Sequence, residues 1–119
     1  MRNTLRITSL SIVLATGALG SCSTESDPGA RLWRRRCAAC HGADGAGRTR
    51  FAEGRPFADL TDGRWKHGSD RTSLRRLVAD GDPASTMPPF AGRLSPEEID
   101  AVVDHALKLS AAGSAGARP

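Results

Sequence analysis

Cys37-Ala-Ala-Cys-His41 is the stretch that decides the fold, because it sets two thiols three residues apart and an imidazole directly after the second thiol. On one helical turn, positions i, i+3 and i+4 share a face. Two thiols in this arrangement can form thioethers with the vinyl groups of a haem while the adjacent histidine reaches the iron. The two alanines between the thiols are small enough to let a porphyrin edge come close. Covalent haem attachment through Cys37 and Cys40, with His41 on the iron, is therefore the leading interpretation.

Two other kinds of site also use a Cys-x-x-Cys pair. A zinc site needs four ligands, but the chain has no second Cys pair, and His67 and His105 would complete a Cys2His2 set with irregular spacing. A redox dithiol is expected beside a strand-helix-strand pattern, which the sequence lacks. The glycines after His41 do not follow a predicted strand, which disfavours a phosphate-binding loop. Zinc or dithiol chemistry stays open as the alternative to haem.

The N-terminal residues have the features of a bacterial export signal. Arg2 and Arg6 precede a moderately apolar run over residues 7–19. That run is too short to span a bilayer core of about 30 Å, so we expect a signal peptide over residues 1–21. Residues 19–22 read Leu-Gly-Ser-Cys and resemble the lipobox, in which cleavage before the cysteine exposes a thiol that becomes lipid-modified. Cys22 is the expected lipid attachment, and a free thiol after ordinary cleavage is the alternative.

The rest of the chain divides into a tether, one domain and a tail. We expect the lipidated cysteine and a flexible tether over 22–28, a single domain over 29–110 and a disordered tail over 111–119. A domain of this size buries little apolar surface, and a haem would enlarge its core.

The overall charge does not point to nucleic acid. The chain carries 17 Lys and Arg against 13 Asp and Glu, and removal of Arg2 and Arg6 with the signal leaves 15 against 13. Two haem propionates would cancel this net charge of +2. The arginines at 31, 34, 35 and 36 form a solvated helix face, or alternatively a patch that steers an acidic redox partner.

Apolar spacing predicts an all-α fold with three main helices. The first runs from about Gly29 through Cys40, and the second follows a cap at Asp70 or Thr72 and ends at Gly81. The third begins within Leu94-Ser-Pro-Glu-Glu-Ile99, which offers a capping box with proline at the first helical position. Its apolar face is expected to pack on the first helix near Gly29.

Met87 is the candidate for the sixth iron ligand. It lies 46 residues after His41 in Met-Pro-Pro-Phe, and the initiator is the other methionine in the chain. The two prolines stiffen the backbone that would hold the thioether toward the iron. A sulfur ligand raises the reduction potential. The alternatives are a methionine that fills the core, and His67 or His105 as the ligand.

Four successive motifs resemble those of class I bacterial c-type cytochromes, over about residues 29–110. They are Cys37-Ala-Ala-Cys-His41-Gly-Ala-Asp-Gly-Ala-Gly, Asp59-Leu-Thr-Asp-Gly-Arg-Trp65-Lys-His-Gly68, Met87-Pro-Pro-Phe-Ala-Gly and Leu94-Ser-Pro-Glu-Glu-Ile99. The resemblance implies a small cytochrome c fold with loops wrapped around one covalent haem c. It makes His41 the proximal and Met87 the distal axial ligand.

The same resemblance assigns further residues. Gly29 and Trp33 match the glycine and aromatic positions of the first helix, while His105 stands where the family usually has an aromatic residue in the last helix. The carbonyl of Pro56 is expected to orient the proximal imidazole. The residues expected at the haem periphery are Pro56, Trp65, His67 and Pro88.

We therefore expect an electron carrier that cycles between Fe(II) and Fe(III) and is not an enzyme. Its partners would be redox proteins that dock transiently, with no nucleic acid and no small-molecule substrate. The protein would be exported and held by its lipid on the periplasmic side of a bacterial membrane, or be soluble in the periplasm if Cys22 is not lipidated. The alternatives are a cytochrome subunit dedicated to a larger dehydrogenase or reductase complex, and a haem peroxidase or gas-binding protein with an open sixth site.

Overall fold

The computed structural model describes residues 27–116, and its regular structure within that range is helical, without strands. The α-helices are α1 (Pro28–Arg36), α2 (Ala38–His41), α3 (Arg71–Asp80) and α4 (Pro96–Gly116). Two 3₁₀ helices, Arg50–Ala52 and Pro56–Ala58, lie between α2 and α3. The all-α fold with three main helices is confirmed. The predicted signal peptide, Cys22 and the tether as far as residue 26 lie outside the described residues.

Side-chain caps start each of the three main helices. Asp27 accepts a hydrogen bond from the Gly29 amide before α1, and Asp70 accepts one from the Ser73 amide before α3, both at 2.9 Å. At α4 the Ser95 amide donates to the Glu98 carboxylate at 2.8 Å, and the Glu98 amide donates to the Ser95 hydroxyl at 3.1 Å. The predicted capping box is therefore confirmed.

The first predicted helix is divided at Cys37. The φ of −118° at Cys37 departs from helical geometry, so Ala38–His41 forms a separate turn. The Cys37 amide still donates to the Trp33 carbonyl at 2.9 Å, and the His41 amide donates to the Cys37 carbonyl at 2.9 Å. Backbone hydrogen bonds thus hold the segment 37–41 at the end of α1.

α1 and α4 cross at Gly29, as predicted. A β-carbon at Gly29 would lie 2.2 Å from the backbone oxygen of Ala101, so the two backbones approach as closely as a glycine permits. One turn further along α1, Trp33 is 3% exposed and its ring centroid lies 5.7 Å from that of His105. The remaining buried apolar residues of this core are Leu74, Phe90, Leu94, Ile99, Val102, Val103 and Ala106.

α4 continues to Gly116, which corrects the prediction of a disordered tail from residue 111. A β-carbon at Gly113 would lie 2.3 Å from the Thr61 β-carbon, and the Ser114 hydroxyl donates to the Thr61 carbonyl at 3.4 Å. This segment is rich in alanine, a strong helix former, and it packs on the loop before α3. Tertiary contact, which apolar periodicity does not report, extends the helix. Within residues 27–116, none of the helices is long and apolar enough to cross a membrane.

Candidate haem site

The two thiols of the motif lie in different surroundings. Cys40 is exposed, whereas Cys37 is partly buried and packs against the core. Burial raises the pKa of the Cys37 thiol to about 11, with a smaller contribution from the neighbouring Cys40 thiol. Cys37 is therefore an uncharged thiol at neutral pH in an apolar environment, which suits the edge of a porphyrin.

His41 is oriented by a backbone carbonyl. Its Nδ1 lies 2.8 Å from the Ala58 oxygen, and because a carbonyl can only accept, Nδ1 carries the proton and donates. This tautomer leaves the lone pair on Nε2, the nitrogen that would bind iron. Burial lowers the pKa of His41, against the opposing effect of the Ala58 hydrogen bond, so the neutral form that ligates metals is favoured.

The acceptor is Ala58 rather than Pro56, so the prediction for the orienting carbonyl was wrong. Pro56 begins a 3₁₀ helix, and its own carbonyl accepts a hydrogen bond from the Asp59 amide at 3.3 Å. The carbonyl at the end of that turn, that of Ala58, is the one that meets His41. Pro56 itself is exposed, and a contact between Pro56 and the haem periphery stays a prediction.

A glycine behind Ala58 fixes the position of this carbonyl. Gly47 has φ of +65°, and a β-carbon there would lie 2.8 Å from the Asp59 nitrogen and 2.9 Å from the Ala58 carbonyl carbon. Its amide donates to the His41 carbonyl at 2.7 Å. Gly47 thus approaches His41 from two directions, through the His41 backbone and through the residue that orients its ring.

Two hydrogen bonds hold the rest of the attachment turn. The Trp33 indole donates to the Gly42 carbonyl at 2.9 Å, and the Thr49 hydroxyl donates to the Cys40 carbonyl at 2.8 Å. The Cys40 carbonyl lies in the last turn of α2, where a helix leaves carbonyls without intrahelical partners. Gly42 caps the helix, and its carbonyl also accepts from the Gly45 amide at 3.2 Å. The sequence around the motif therefore stabilises the turn that presents both thiols and His41.

Met87 lies on the loop between α3 and α4, and backbone contacts fix that loop against the end of α3. The Phe90 and Ala91 amides donate to the Val78 and Ala79 carbonyls, both at 3.0 Å. Gly81 has φ of +70°, and a β-carbon there would lie 2.7 Å from the Met87 oxygen. The loop thus uses the unpaired carbonyls of α3 as its anchor, and Met87 is partly buried within it.

The histidines that rivalled Met87 have other neighbours. His67 Nε2 lies 2.8 Å from the carboxylate of Asp82. His105 packs on Trp33. This contact between an imidazole and an indole stands where the family usually has a pair of aromatic residues between the terminal helices. His105 Nδ1 is buried with no hydrogen-bond partner among residues 27–116. Burial also lowers the pKa of His105, which favours its neutral form.

The remaining residues predicted at the haem periphery differ in burial. Trp65 is partly buried and packs against the core, while Pro88 is exposed. Their contacts with haem stay predictions.

The donor set fits a haem c. Two free thiols, a neutral imidazole with Nε2 as acceptor and one thioether are the groups that thioether attachment and His/Met ligation require. The two candidate iron ligands, His41 on α2 and Met87 on the loop before α4, come from separate parts of the fold. For comparison with the zinc alternative, residues 27–116 contain no group of three or more His, Cys, Asp or Glu side chains placed to hold a metal ion.

The sequence did not identify two contributors to this site, Ala58 and Gly47, or the Asp82 carboxylate that binds His67. Ala58 acts through its backbone, so its side chain carries no signal. Gly47 was recognised as one of several loop glycines, but its contact with residue 58 depends on tertiary structure. Asp82, between Gly81 and Pro83, has the composition of a turn, and that pattern could have drawn attention to it.

Comparison with known proteins places the chain among cytochromes. A family model described as "Cytochrome C oxidase, cbb3-type, subunit III" matches residues 24–105. The chain is 42% identical over 82 residues to the cbb3-type cytochrome c oxidase subunit CcoP of Rubrivivax gelatinosus, covering 69% of this chain and 25% of that protein. It is 31% identical over 87 residues to the subunit FixP of Azorhizobium caulinodans, covering 73% of this chain and 28% of that protein. The chain thus spans about a quarter of the length of these curated relatives.

A solved structure shows the same fold. The KustC0563 c-type cytochrome superposes with a TM-score of 0.59 at 30% sequence identity. The match covers 68% of this chain and 95% of that one.

Proposed function

Because this chain belongs to the family described as cytochrome C oxidase, cbb3-type, subunit III, and is a c-type cytochrome domain, we propose that it carries a single covalent haem c and transfers electrons one at a time without being an enzyme itself. The observation that carries this proposal is the state of His41, whose Nδ1 is held by the Ala58 carbonyl and whose Nε2 is left to bind iron. Cys37 and Cys40 lie on the same turn and would form the two thioethers.

Each residue of the site has a separate task. Cys37 and Cys40 would fix the cofactor to the chain, His41 would supply a nitrogen to the iron, and Met87 would supply a sulfur. Bound haem supplies an iron that changes its oxidation state by one electron. Filled axial positions on both sides would keep small molecules off the iron, and a thioether ligand would favour the reduced state and raise the potential.

Replacement of Met87 tests the ligand assignment. Met87→Ala and the better-packed control Met87→Leu should both lose the sulfur-to-iron band at the red end of the ferric spectrum and lower the potential, because both remove the sulfur. A spectrum that is unchanged in both variants would show that Met87 does not bind the iron.

The rival with an open sixth site is tested on the unmodified protein. Reduced protein should resist carbon monoxide at neutral pH, since Met87 occupies the position that the gas needs. Rapid binding without denaturation would replace the carrier by a peroxidase or gas-binding protein.

A subunit of a larger complex is the second candidate function, and the names of the relatives favour it, since they are subunits of an oxidase. The complex expected from the sequence is a dehydrogenase or reductase, whereas these relatives are named as subunits of an oxidase. The basic end of α1, at Arg34, Arg35 and Arg36, is exposed directly before the attachment motif and would steer an acidic partner toward it. Co-purification of the tagged holoprotein with an oxidase in fixed stoichiometry would support the subunit, and recovery as a single redox-active chain would support the free carrier.

The proposed location is the periplasmic side of a bacterial membrane, with the chain exported and attached through lipid on Cys22. The support is the pattern of residues 1–22, with its basic start, short apolar run and lipobox-like end. One lipid-modified terminus would confine encounters with redox partners to the membrane surface.

A further inference from the structure

Asp82 is a buried carboxylate that collects donors from two segments of the chain. The residue is 7% exposed. Its Oδ2 accepts from Lys66 Nζ, His67 Nε2 and the Ser85 hydroxyl, each at 2.8 Å. Its Oδ1 accepts from the Ala84 amide at 3.1 Å. Lys66 and His67 precede α3, whereas Ala84 and Ser85 follow it. One carboxylate therefore connects the segment before that helix with the segment after it.

These contacts explain how a charge is tolerated inside the fold. A buried carboxylate is costly unless it is paired and its lone pairs are satisfied. The hydrogen bond from Lys66, followed by those from His67 and Ser85, holds the pKa of Asp82 well below its usual range, so the group is ionised at neutral pH. The residue is therefore a permanent acceptor at the centre of the cluster.

The same residue closes the loop that ends in Met87. The Asp82 amide donates to the Met87 carbonyl at 2.9 Å, which forms an antiparallel bridge between the two residues. Inside this closed loop, the Asp82 carboxylate binds Ala84 and Ser85, and Thr86 adopts φ of 65°, a conformation that costs energy for a residue with a branched side chain. The carboxylate contacts hold the turn in which this conformation persists.

We propose that Asp82 is a positioning residue for the Met87 thioether. By binding Lys66 and His67, which precede α3, while it also holds the 82–87 loop, Asp82 would keep the sulfur in place toward the iron. The inference rests on the proposed function, because it takes Met87 as the distal ligand. In this role Asp82 acts indirectly, through the loop that carries Met87, on the strength with which the sulfur holds the sixth position of the iron.

The test is the rate at which imidazole displaces Met87 from the ferric holoprotein, followed by loss of the sulfur-to-iron band. That displacement is limited by dissociation of the methionine, so it reports how well the loop holds its ligand. Asp82→Asn keeps the size of the side chain but weakens its charge-assisted hydrogen bonds, and it should accelerate displacement by about tenfold or more. Asp80→Asn is the matched control, because Asp80 is an exposed aspartate two residues away and should leave the rate unchanged.

Ser85→Ala provides a milder variant if Asp82→Asn does not fold. It removes one of the three donors to Oδ2 and should accelerate displacement by about threefold. If both variants fold and imidazole displaces Met87 at the rate of the Asp80 control, the inference is wrong. If Asp82→Asn does not fold, a wild-type displacement rate in Ser85→Ala likewise overturns it.

Failure of the proposed function is recognised separately. If the ferric wild type has no sulfur-to-iron band, or if Met87→Ala leaves that band in place, the ligand assignment itself is wrong. If the band is present and depends on Met87 while the Asp82 variants behave as wild type, the ligand stands and the positioning role alone is refuted.

Discussion

Gly47→Ala is expected to weaken the fold and to disturb the orientation of His41. Two separate costs apply at this position. A non-glycine residue at the φ of +65° costs about 1–2 kcal/mol, which is partly offset by about 0.4–1 kcal/mol from the smaller entropy of the unfolded chain. The new β-carbon would also lie 2.8 Å from the Asp59 nitrogen and 2.9 Å from the Ala58 carbonyl carbon. Overpacking of this kind costs about 1–3 kcal/mol, so the total is about 1–5 kcal/mol.

Gly54→Ala is the control that bears the first cost without the second. Gly54 has φ of +72°, but a β-carbon there would meet nothing within 4 Å. This control bears the conformational cost alone, and we expect a loss of about 1 kcal/mol or less. The difference between the two variants therefore measures how closely residue 47 approaches the backbone of Ala58.

The assay is denaturant unfolding of the two holoproteins, combined with the electron paramagnetic resonance spectrum of the ferric form. Gly47→Ala should lower the free energy of unfolding more than Gly54→Ala and should shift the resonance positions that report the plane of the axial imidazole. Equal stability of the two variants, with an unchanged spectrum in both, would refute the argument that Gly47 positions the carbonyl bound to His41.

Three further predictions concern the helix crossing, the buried histidine and the anchor. Gly29→Ala should destabilise the protein by about 1–3 kcal/mol despite the better helix propensity of alanine, because the new β-carbon would lie 2.2 Å from the Ala101 oxygen. The control Gly116→Ala, with open space around it, should change the unfolding free energy little. Equal effects of the two substitutions would place the helix crossing elsewhere. Burial lowers the pKa of His105 in the folded protein, against an opposing effect of Asp27. As the pH falls through the unfolded value of 6.5, the unfolded chain therefore binds more protons than the folded protein, and the stability decreases. His105→Phe should reduce the loss of melting temperature between about pH 7.5 and about pH 5.5, and an undiminished loss would assign it to other groups. Cys22→Ser should release the mature protein from membranes, and a variant that still partitions with them would refute the lipid anchor.

The elements whose determinants are local were predictable from the sequence. Ser95 and Glu98 satisfy each other's amides within one turn, so the start of α4 follows from six consecutive residues. The site's chemistry at Cys37, Cys40 and His41 is equally local, because one helical turn brings these residues together. The crossing at Gly29 could be predicted because the apolar face of the last helix needs a partner and a glycine permits close approach.

What the sequence did not reveal depends on contacts between distant segments. The carbonyl that orients His41 belongs to Ala58, a residue with no polar side chain, and its position depends on a loop that passes Gly47. The end of α4 depends on Thr61, which packs on Gly113 fifty-two positions later. Asp82 follows α3 and draws two of its donors, Lys66 and His67, from the segment before that helix. Periodicity and motifs report none of these approaches.

The most direct test of covalent haem attachment and electron transfer is a redox titration of the exported protein, monitored through its visible spectrum. We predict one haem that stays with the polypeptide under denaturing extraction, one reversible one-electron transition, and a ferric sulfur-to-iron band. Haem that is extracted from the chain, or a protein that carries none, would contradict covalent attachment at Cys37 and Cys40. A ferric spectrum without the sulfur band would contradict the closed, six-coordinate carrier.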